Sequence, residues 1–466
     1  MPSWIHDWDP DDEHFWAQKG RAIARRNLVF SVFAELLGFS VWQLWSVIAP
    51  YLRNAGFHLS MDALFWLVAI PGLVGATMRF PYTFAVPRFG GRNWTVVSAL
   101  LLLVPVATLA LLVSKPGTPY WLLLVAAASA GVGGGNFASS MTNISFFYPE
   151  REKGFALGLN AAGGNLGVGI VQLVTPLLIA APLVAASSLG VGVRLDLRPA
   201  ALVWLPLVVA AAVCAWLFMD NLAVSRARLR DQAAVVRQRD TWVMSWLYFG
   251  TFGSFIGYSA GLPLLIRAEF PDVKLWWIAA VGPIVGSLAR PLGGWLSDRL
   301  GGERITIGVF VAMAAAAAGL IVILRDPTRT WAYPAFLATF LLLFVASGMG
   351  NGSTFKMIPS IWRAAALRRA NPKDTAAGAV AAGRREAAAV MGFTSAVAAY
   401  GSFFIPRSYG MSIARTGSAT LAFAGFLAFY AVCVALVWWF YLRPASVATA
   451  PNLATGDQLA VEEAAR

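Results

Sequence analysis

Twelve apolar blocks, each long enough to cross a bilayer, dominate this 466-residue chain. They fall near residues 28–52, 62–86, 94–114, 119–146, 155–183, 199–219, 241–266, 275–297, 304–324, 333–358, 387–411 and 417–442. A spanning helix needs about 20 mostly apolar residues, because the hydrocarbon core of a bilayer is about 30 Å thick. Backbone polar groups find no water at that depth, so uninterrupted apolar blocks of this length cross as helices. The expected fold class is an all-α membrane protein with 12 transmembrane helices. Charged residues make up only 13% of the chain, against about 25% in soluble domains. That excludes a soluble enzyme, a disordered chain and a disulfide scaffold. Cys214 and Cys433 lie inside apolar runs and read as small packing residues.

The net charge of +13 is informative through its placement. Alternate loops hold 23 Lys and Arg on the side of both chain ends and 10 on the other. The positive-inside rule then puts both termini in the cytoplasm of a multi-pass protein of the cytoplasmic (inner) membrane. The charge is topology, and no nucleic-acid partner is implied. The polar head has no short apolar core with a small-residue cleavage site, so no signal peptide is expected.

Three further cations, Arg79, Arg290 and Lys356, lie inside apolar blocks. An Arg at a helix centre costs roughly 2.5–3.5 kcal/mol on insertion scales, so such residues are rare and usually functional. Around Arg79 the chain reads PGLVGATMRFPYTFAVPRFGG, and around Arg290 it reads GPIVGSLARPLGGWLSDRLGG. An offset of 211 aligns the two arginines and also Gly75 with Gly286, Arg88 with Arg299, and Gly90-Gly91 with Gly301-Gly302. Span 2 therefore corresponds to span 8, and the molecule divides into two six-helix halves related by a parallel repeat. The expected organisation is a cytoplasmic segment (1–27), a first half (28–219), a cytoplasmic linker (220–240), a second half (241–442) and a cytoplasmic tail (443–466). Repeats of this kind place a substrate site near the midplane at their interface.

Each arginine is either structural, paired to a buried carboxylate, or a ligand for an anion. Of 23 acidic residues only Glu35 lies clearly within a span, with Glu386 at a span entrance, so internal counter-charge is short. A planar guanidinium fork suits flat oxyanions, and a small anion held by both arginines fits best. Span 5 is rich in glycine, including Gly163, Gly164 and Gly167. No strand precedes them, so a dinucleotide loop is not indicated. Small residues spaced by four instead let helices approach closely. Asn165 on this face serves either an interhelical hydrogen bond or the anion. Span 11 holds a weaker counterpart with Gly392, Ser395 and Gly401. Phe39, Phe137, Tyr248 and Phe252 are either packing or the walls of a flat slot that dries the anion.

The loop Gly294-Trp-Leu-Ser-Asp298-Arg299-Leu-Gly-Gly302 resembles the G-x-x-x-D-R-x-G-[GR] motif of the major facilitator superfamily, which assigns Asp298 and Arg299 a gating role. The first copy carries Pro87 in place of the Asp and Thr83 in place of the leading Gly, so the two loops are not expected to be equivalent. The run GVGGGNFASSMTNISFFYPEREKGFALGLNAAGGNLGVG (131–169) resembles the first signature of the nitrate/nitrite porter family. Span 11 resembles its second signature, and TWVMSWLYFGTFGSFIGYSAG (241–261) its span 7. The resemblance covers nearly the whole chain. It implies a major facilitator fold with nitrate or nitrite held by Arg79 and Arg290, and it adds Asn165, Tyr248, Phe137, Phe39, Phe252 and Ser395 to the binding residues.

Two buried cations without counter-charge are costly to occlude, and one bound monovalent anion relieves part of that cost. Reorientation of the loaded carrier is then easier than that of the empty one, which favours nitrate/nitrite antiport. The alternative is nitrate–proton symport through Glu35, whose other reading is an ion pair with Lys356 near the cytoplasmic mouth. No His/Cys cluster, acidic metal site or Ser–His arrangement occurs in the spans, so no enzyme activity, metal or cofactor is expected. The head and tail are too short for a sensor's signalling domain. The expected partners are nitrate, nitrite and the lipid bilayer, with the chain acting as a monomer.

Overall fold

The computed structural model describes residues 4–188, 195–223, 235–273, 276–370 and 375–443. The middle of the expected linker and nearly all of the expected tail lie outside the described residues. Eleven helices among those residues are long and apolar enough to cross a membrane. In chain order the helices are α1 (Glu13–Leu52), α2 (Met61–Phe89), α3 (Gly91–Leu112), α4 (Tyr120–Phe147), α5 (Arg151–Pro182), α6 (Arg198–Phe218) and α7 (Arg239–Glu269). Then follow α8 (Val281–Leu300), α9 (Gly302–Ile323), α10 (Ala332–Arg369), α11 (Gly378–Thr416) and α12 (Thr420–Leu442). The helix outside the eleven is α8, whose 20 residues carry Arg290, Asp298 and Arg299. With it the count is twelve, as the apolar blocks predict.

Packing divides the chain into two compact units. Unit 1 comprises residues 1–227, 256–284 and 399–419; unit 2 comprises residues 228–255, 285–398 and 420–466. In this way α7, α8 and α11 each give one segment to either unit.

In unit 1 the glycines of α5 set the spacing to α1. A Cβ at Gly163 would strike Val32, one at Gly164 would lie 2.6 Å from Glu35 Oε1, and one at Gly167 would meet the Leu36 carbonyl. Ser40 Oγ, on α1, donates to the Gly167 carbonyl at 3.0 Å. Small side chains thus allow backbone-to-backbone approach where the bilayer supplies no hydrophobic drive between helices.

The N-terminal segment is more ordered than a polar head suggests. Strand β1 (Trp4–Ile5) pairs in parallel with β2 (Asn221–Leu222), and helix starts at Glu13, capped by the Asp12 side chain. Trp8 and Trp16 are buried with Phe147 and Tyr148. Trp8 Nε1 donates to the Phe146 carbonyl at 3.0 Å, Trp16 Nε1 to Glu152 at 3.0 Å, and Arg26 pairs with Asp220 at 2.6 Å. Aromatic anchors scattered among acids override the polar average of the segment.

In unit 2, hydroxyl pairs tie the helices together: Thr251 with Thr354 at 3.1 Å, Ser254 with Tyr430 at 2.8 Å, and Thr306 with Ser353 at 2.8 Å. The repeat has a backbone counterpart. Gly90 ends α2 with φ +87° and Gly301 follows α8 with φ +91°, and these are the two glycines that the 211-residue offset aligns. Each donates its N–H four residues back, to Val86 and to Ser297. Only glycine adopts this conformation without strain.

Candidate functional site

Each unit buries one arginine. In unit 1, Arg79 sits in α2 and is fully buried. Three prolines inside α2, Pro71, Pro81 and Pro87, flank its position. Its Nε donates to the Gly134 carbonyl of α4 at 3.1 Å. The guanidinium carbon lies 4.6 Å from the ring centroid of Phe137 and 5.6 Å from that of Trp42. Phe137 is tilted against Phe39 at 6.1 Å, and Phe39 meets Trp42 edge-on at 5.4 Å. Trp42 is itself fixed by donating to the Pro71 carbonyl at 2.8 Å. Ring faces attract the cation by about 2 kcal/mol when desolvated. They leave its formal charge in place for a ligand.

In unit 2, Arg290 is 6% exposed, and its guanidinium carbon lies 5.4 Å from the Phe355 ring centroid. Its Nη1 is buried without a hydrogen-bond partner among the described residues. Phe355 also meets Tyr248 at 5.9 Å, and Tyr248 stacks on Phe252 at 5.5 Å with 13° between the rings. A wider turn of α7 at Phe249–Gly253 starts directly after Tyr248 and contains Phe252. Such turns re-aim side chains and recur at functional sites.

The remaining expected residues fall as follows. Asn165 is buried, and among the described residues its Oδ1 has no partner and forms no interhelical hydrogen bond. Ser395 is buried, and its Oγ donates to the Gly392 carbonyl at 2.9 Å. A Cβ at Gly392 would meet nothing, whereas the Gly401 carbonyl lies where a Cβ at Gly257 would sit. Asp298 accepts from Lys356 through both oxygens at 2.9 Å, and the Arg299 guanidinium lies 3.9 Å from the Trp295 ring centroid. Lys356, the partner that the alternative reading of Glu35 named, thus holds Asp298, a short reach from α10 to α8 within unit 2. Glu35 accepts from Ser140 Oγ and from Asn160 Nδ2, the latter at 2.6 Å.

Sequence reading missed Trp42, Phe355, Ser140 and Asn160. Ser140 and Asn160 sit within the first signature-like run, Phe355 is next to Lys356 and Trp42 is about one turn from Phe39, yet aromatic and small polar residues in helices are too common to stand out. It also missed Glu269, the last residue of α7, which is buried and accepts from the Ala419 backbone N–H at 2.5 Å. The helix continues past the apolar block that ends near residue 266, which brings this carboxylate inside.

Residues 28–406 match the Major Facilitator Superfamily. The chain is 44% identical over 450 residues to the nitrate/nitrite transporter NarU of Escherichia coli (strain K12), covering 94% of this chain and 96% of that protein. It is 39% identical to the probable nitrate/nitrite antiporter NarK2 of Thermus thermophilus, over 95% and 97% of the two chains. Among solved structures, a bacterial homolog of the human lysosomal transporter Spinster, inward-facing and unoccupied, aligns with TM-score 0.60 at 16% identity, covering 96% and 98%. That last likeness is one of fold. The chain belongs to the nitrate/nitrite porter family of the major facilitator superfamily, and it is a multi-pass membrane transporter, not an enzyme.

Proposed function

We propose that this chain exchanges nitrate and nitrite across the cytoplasmic membrane by alternating access, with Arg79 and Arg290 as the principal ligands of the anion. The observation that carries the reading is the matched pair of buried arginines, one per unit, each set beside an aromatic ring. Relatives named as nitrate/nitrite transporters or antiporters over nearly the whole chain support the substrate. Asn165 and Tyr248 supply further polar contacts; Phe39, Phe137 and Phe252 wall the site, and Ser395 completes it. Asp298 and Arg299 act in gating, and the two six-helix halves alternate around the bound anion. The cation count places both termini in the cytoplasm. One chain supplies every residue the mechanism uses, so a monomer suffices.

Two guanidinium groups in a dry site repel each other, and a bound monovalent anion offsets part of that repulsion. Transition through the occluded state is then faster loaded than empty, which couples entry of one anion to exit of another. Labelled nitrate uptake into proteoliposomes with and without internal nitrite, at equal pH on both sides, tests this. Uptake should require the internal anion; uptake indifferent to it overturns the exchange mechanism.

A second reading, proton-coupled uptake, has one observation in its favour. Glu35 is a fully buried carboxyl set against Ser140 and Asn160, in the niche that Gly164 leaves open. A cycling proton needs a group of this kind.

A further inference from the structure

Unit 1 contains a cavity of about 110 Å³ at the end of α1 remote from the N terminus, with Tyr51, Asn54, Gln172 and Arg267 among its lining residues. A water molecule's share of liquid volume is about 30 Å³, so the space suits a small ion with part of its hydration shell. Pro176 and Pro263 line it too.

Its electrostatics are one-sided. Arg267 donates from Nη2 to the Asn54 amide oxygen at 3.0 Å, a neutral partner that leaves the positive charge uncompensated. Of the acids in the same unit, Asp62 pairs with Arg407 at 2.9 Å and Glu269 accepts from Ala419 and Ser418, while Asp272, next in the chain to the lining Val273, forms no ion pair with Arg267 among the described residues. Arg53, beside Asn54 in the chain, spends its Nε on the Leu59 carbonyl at 2.9 Å, again a neutral group.

Two lining groups are buried and unsatisfied. The Tyr51 hydroxyl has no partner among the described residues. Gln172 is 2% exposed; its Nε2 donates to the Ser259 carbonyl at 2.6 Å, which fixes the amide orientation and leaves Oε1 without a partner among the described residues. Buried polar atoms of this kind are uncommon and call for a hydrogen-bonding occupant. Lipid tails offer none. A small oxyanion accepts from the guanidinium and the phenol, and its hydration water donates to Gln172 Oε1.

We propose that this cavity is a second, weaker site for a small oxyanion, which captures nitrate at the outer mouth ahead of the arginine pair. The assignment rests on the transport reading above, in which the N-terminal end of α1 is cytoplasmic and Tyr51 therefore marks the outer side. Arg267 is exposed at the mouth of the cavity, and a cation there raises the local anion concentration and the on-rate.

The test uses the full chain in proteoliposomes of defined orientation, comparing wild type with Arg267→Gln, Arg267→Lys and Tyr51→Phe. The half-saturation for external nitrate should rise about two- to fivefold in Arg267→Gln, with the maximal rate and the internal half-saturation unchanged. Arg267→Lys should recover most of the loss, and Tyr51→Phe should move the same parameter in the same direction. The difference should shrink above about 0.15 M ionic strength, where screening is effective within about 8 Å. A purely structural role would instead lower the maximal rate or shift both faces together, and that outcome, or an unchanged external half-saturation, overturns the second site. Equilibrium binding of ¹⁵N-nitrate to Arg79→Ala protein separates the two claims. Residual weak binding that disappears when Arg267→Gln is added supports the cavity; no residual binding contradicts it. Binding as tight as in wild type would mean that the principal site is misplaced.

Discussion

The Arg79 guanidinium lies over the Phe137 ring at 4.6 Å, and that ring in turn leans on Phe39. A cation held by ring faces is oriented without being neutralised. A carboxylate in the same place would fix the guanidinium equally well and cancel the charge an anion needs. Phe137→Leu keeps bulk and removes the ring face, so nitrate half-saturation should rise by up to about thirtyfold, the equivalent of losing one desolvated cation–π contact of about 2 kcal/mol. Transport titrations on purified protein measure it, and thermal stability should change little.

Asn165 allows a sharper separation of binding from folding. Its Oδ1 is buried with no partner among the described residues, so Asn165→Ala orphans no partner of that oxygen there. The expected result is nitrate affinity lowered about three- to tenfold with the melting temperature unchanged or slightly raised. A drop in melting temperature with normal affinity would return Asn165 to a packing role.

Glu35 decides between exchange and symport. If the carrier is an exchanger, Glu35→Gln, which keeps the shape and the contact with Ser140, retains nitrate/nitrite exchange within about twofold and leaves its pH profile flat. Counterflow across a pH series shows this directly. Loss of pH-driven uptake in the variant would establish the proton-coupled mechanism instead.

The α1–α5 spacing is testable at Gly167, where a Cβ would meet the Leu36 carbonyl. Gly167→Ala should destabilise the protein by about 1–3 kcal/mol through overpacking. Gly154 lies on the same helix with nothing near its Cβ position. Gly154→Ala should be neutral or stabilising, by up to about 1 kcal/mol from helix propensity. Paired thermal melts in detergent compare the two.

The fold class was legible because its determinants are local and periodic: apolar runs of bilayer length, and a sequence repeat whose Gly90 and Gly301 share one backbone conformation. What depends on three-dimensional neighbours was not. Lys356 and Glu35 were both visible as ionisable residues within spans, but nothing in their spacing says that Lys356 reaches Asp298 or that Glu35 meets Asn160. Trp42 and Phe355 look like any other membrane aromatic until the arginines are seen beside them. Trp8 and Trp16 stand in a stretch rich in acids, and nothing in that composition says that their rings are buried.

The most direct test of the arginine clamp is nitrate affinity in Arg79→Lys protein, measured by equilibrium binding in nanodiscs, with Arg290→Lys beside it. Lysine keeps the charge and loses the planar fork that pairs with a flat oxyanion. Each variant should bind nitrate at least about tenfold more weakly, consistent with the loss of one charge-assisted hydrogen bond or more. Wild-type affinity in both variants would contradict the assignment of these arginines as the anion's ligands.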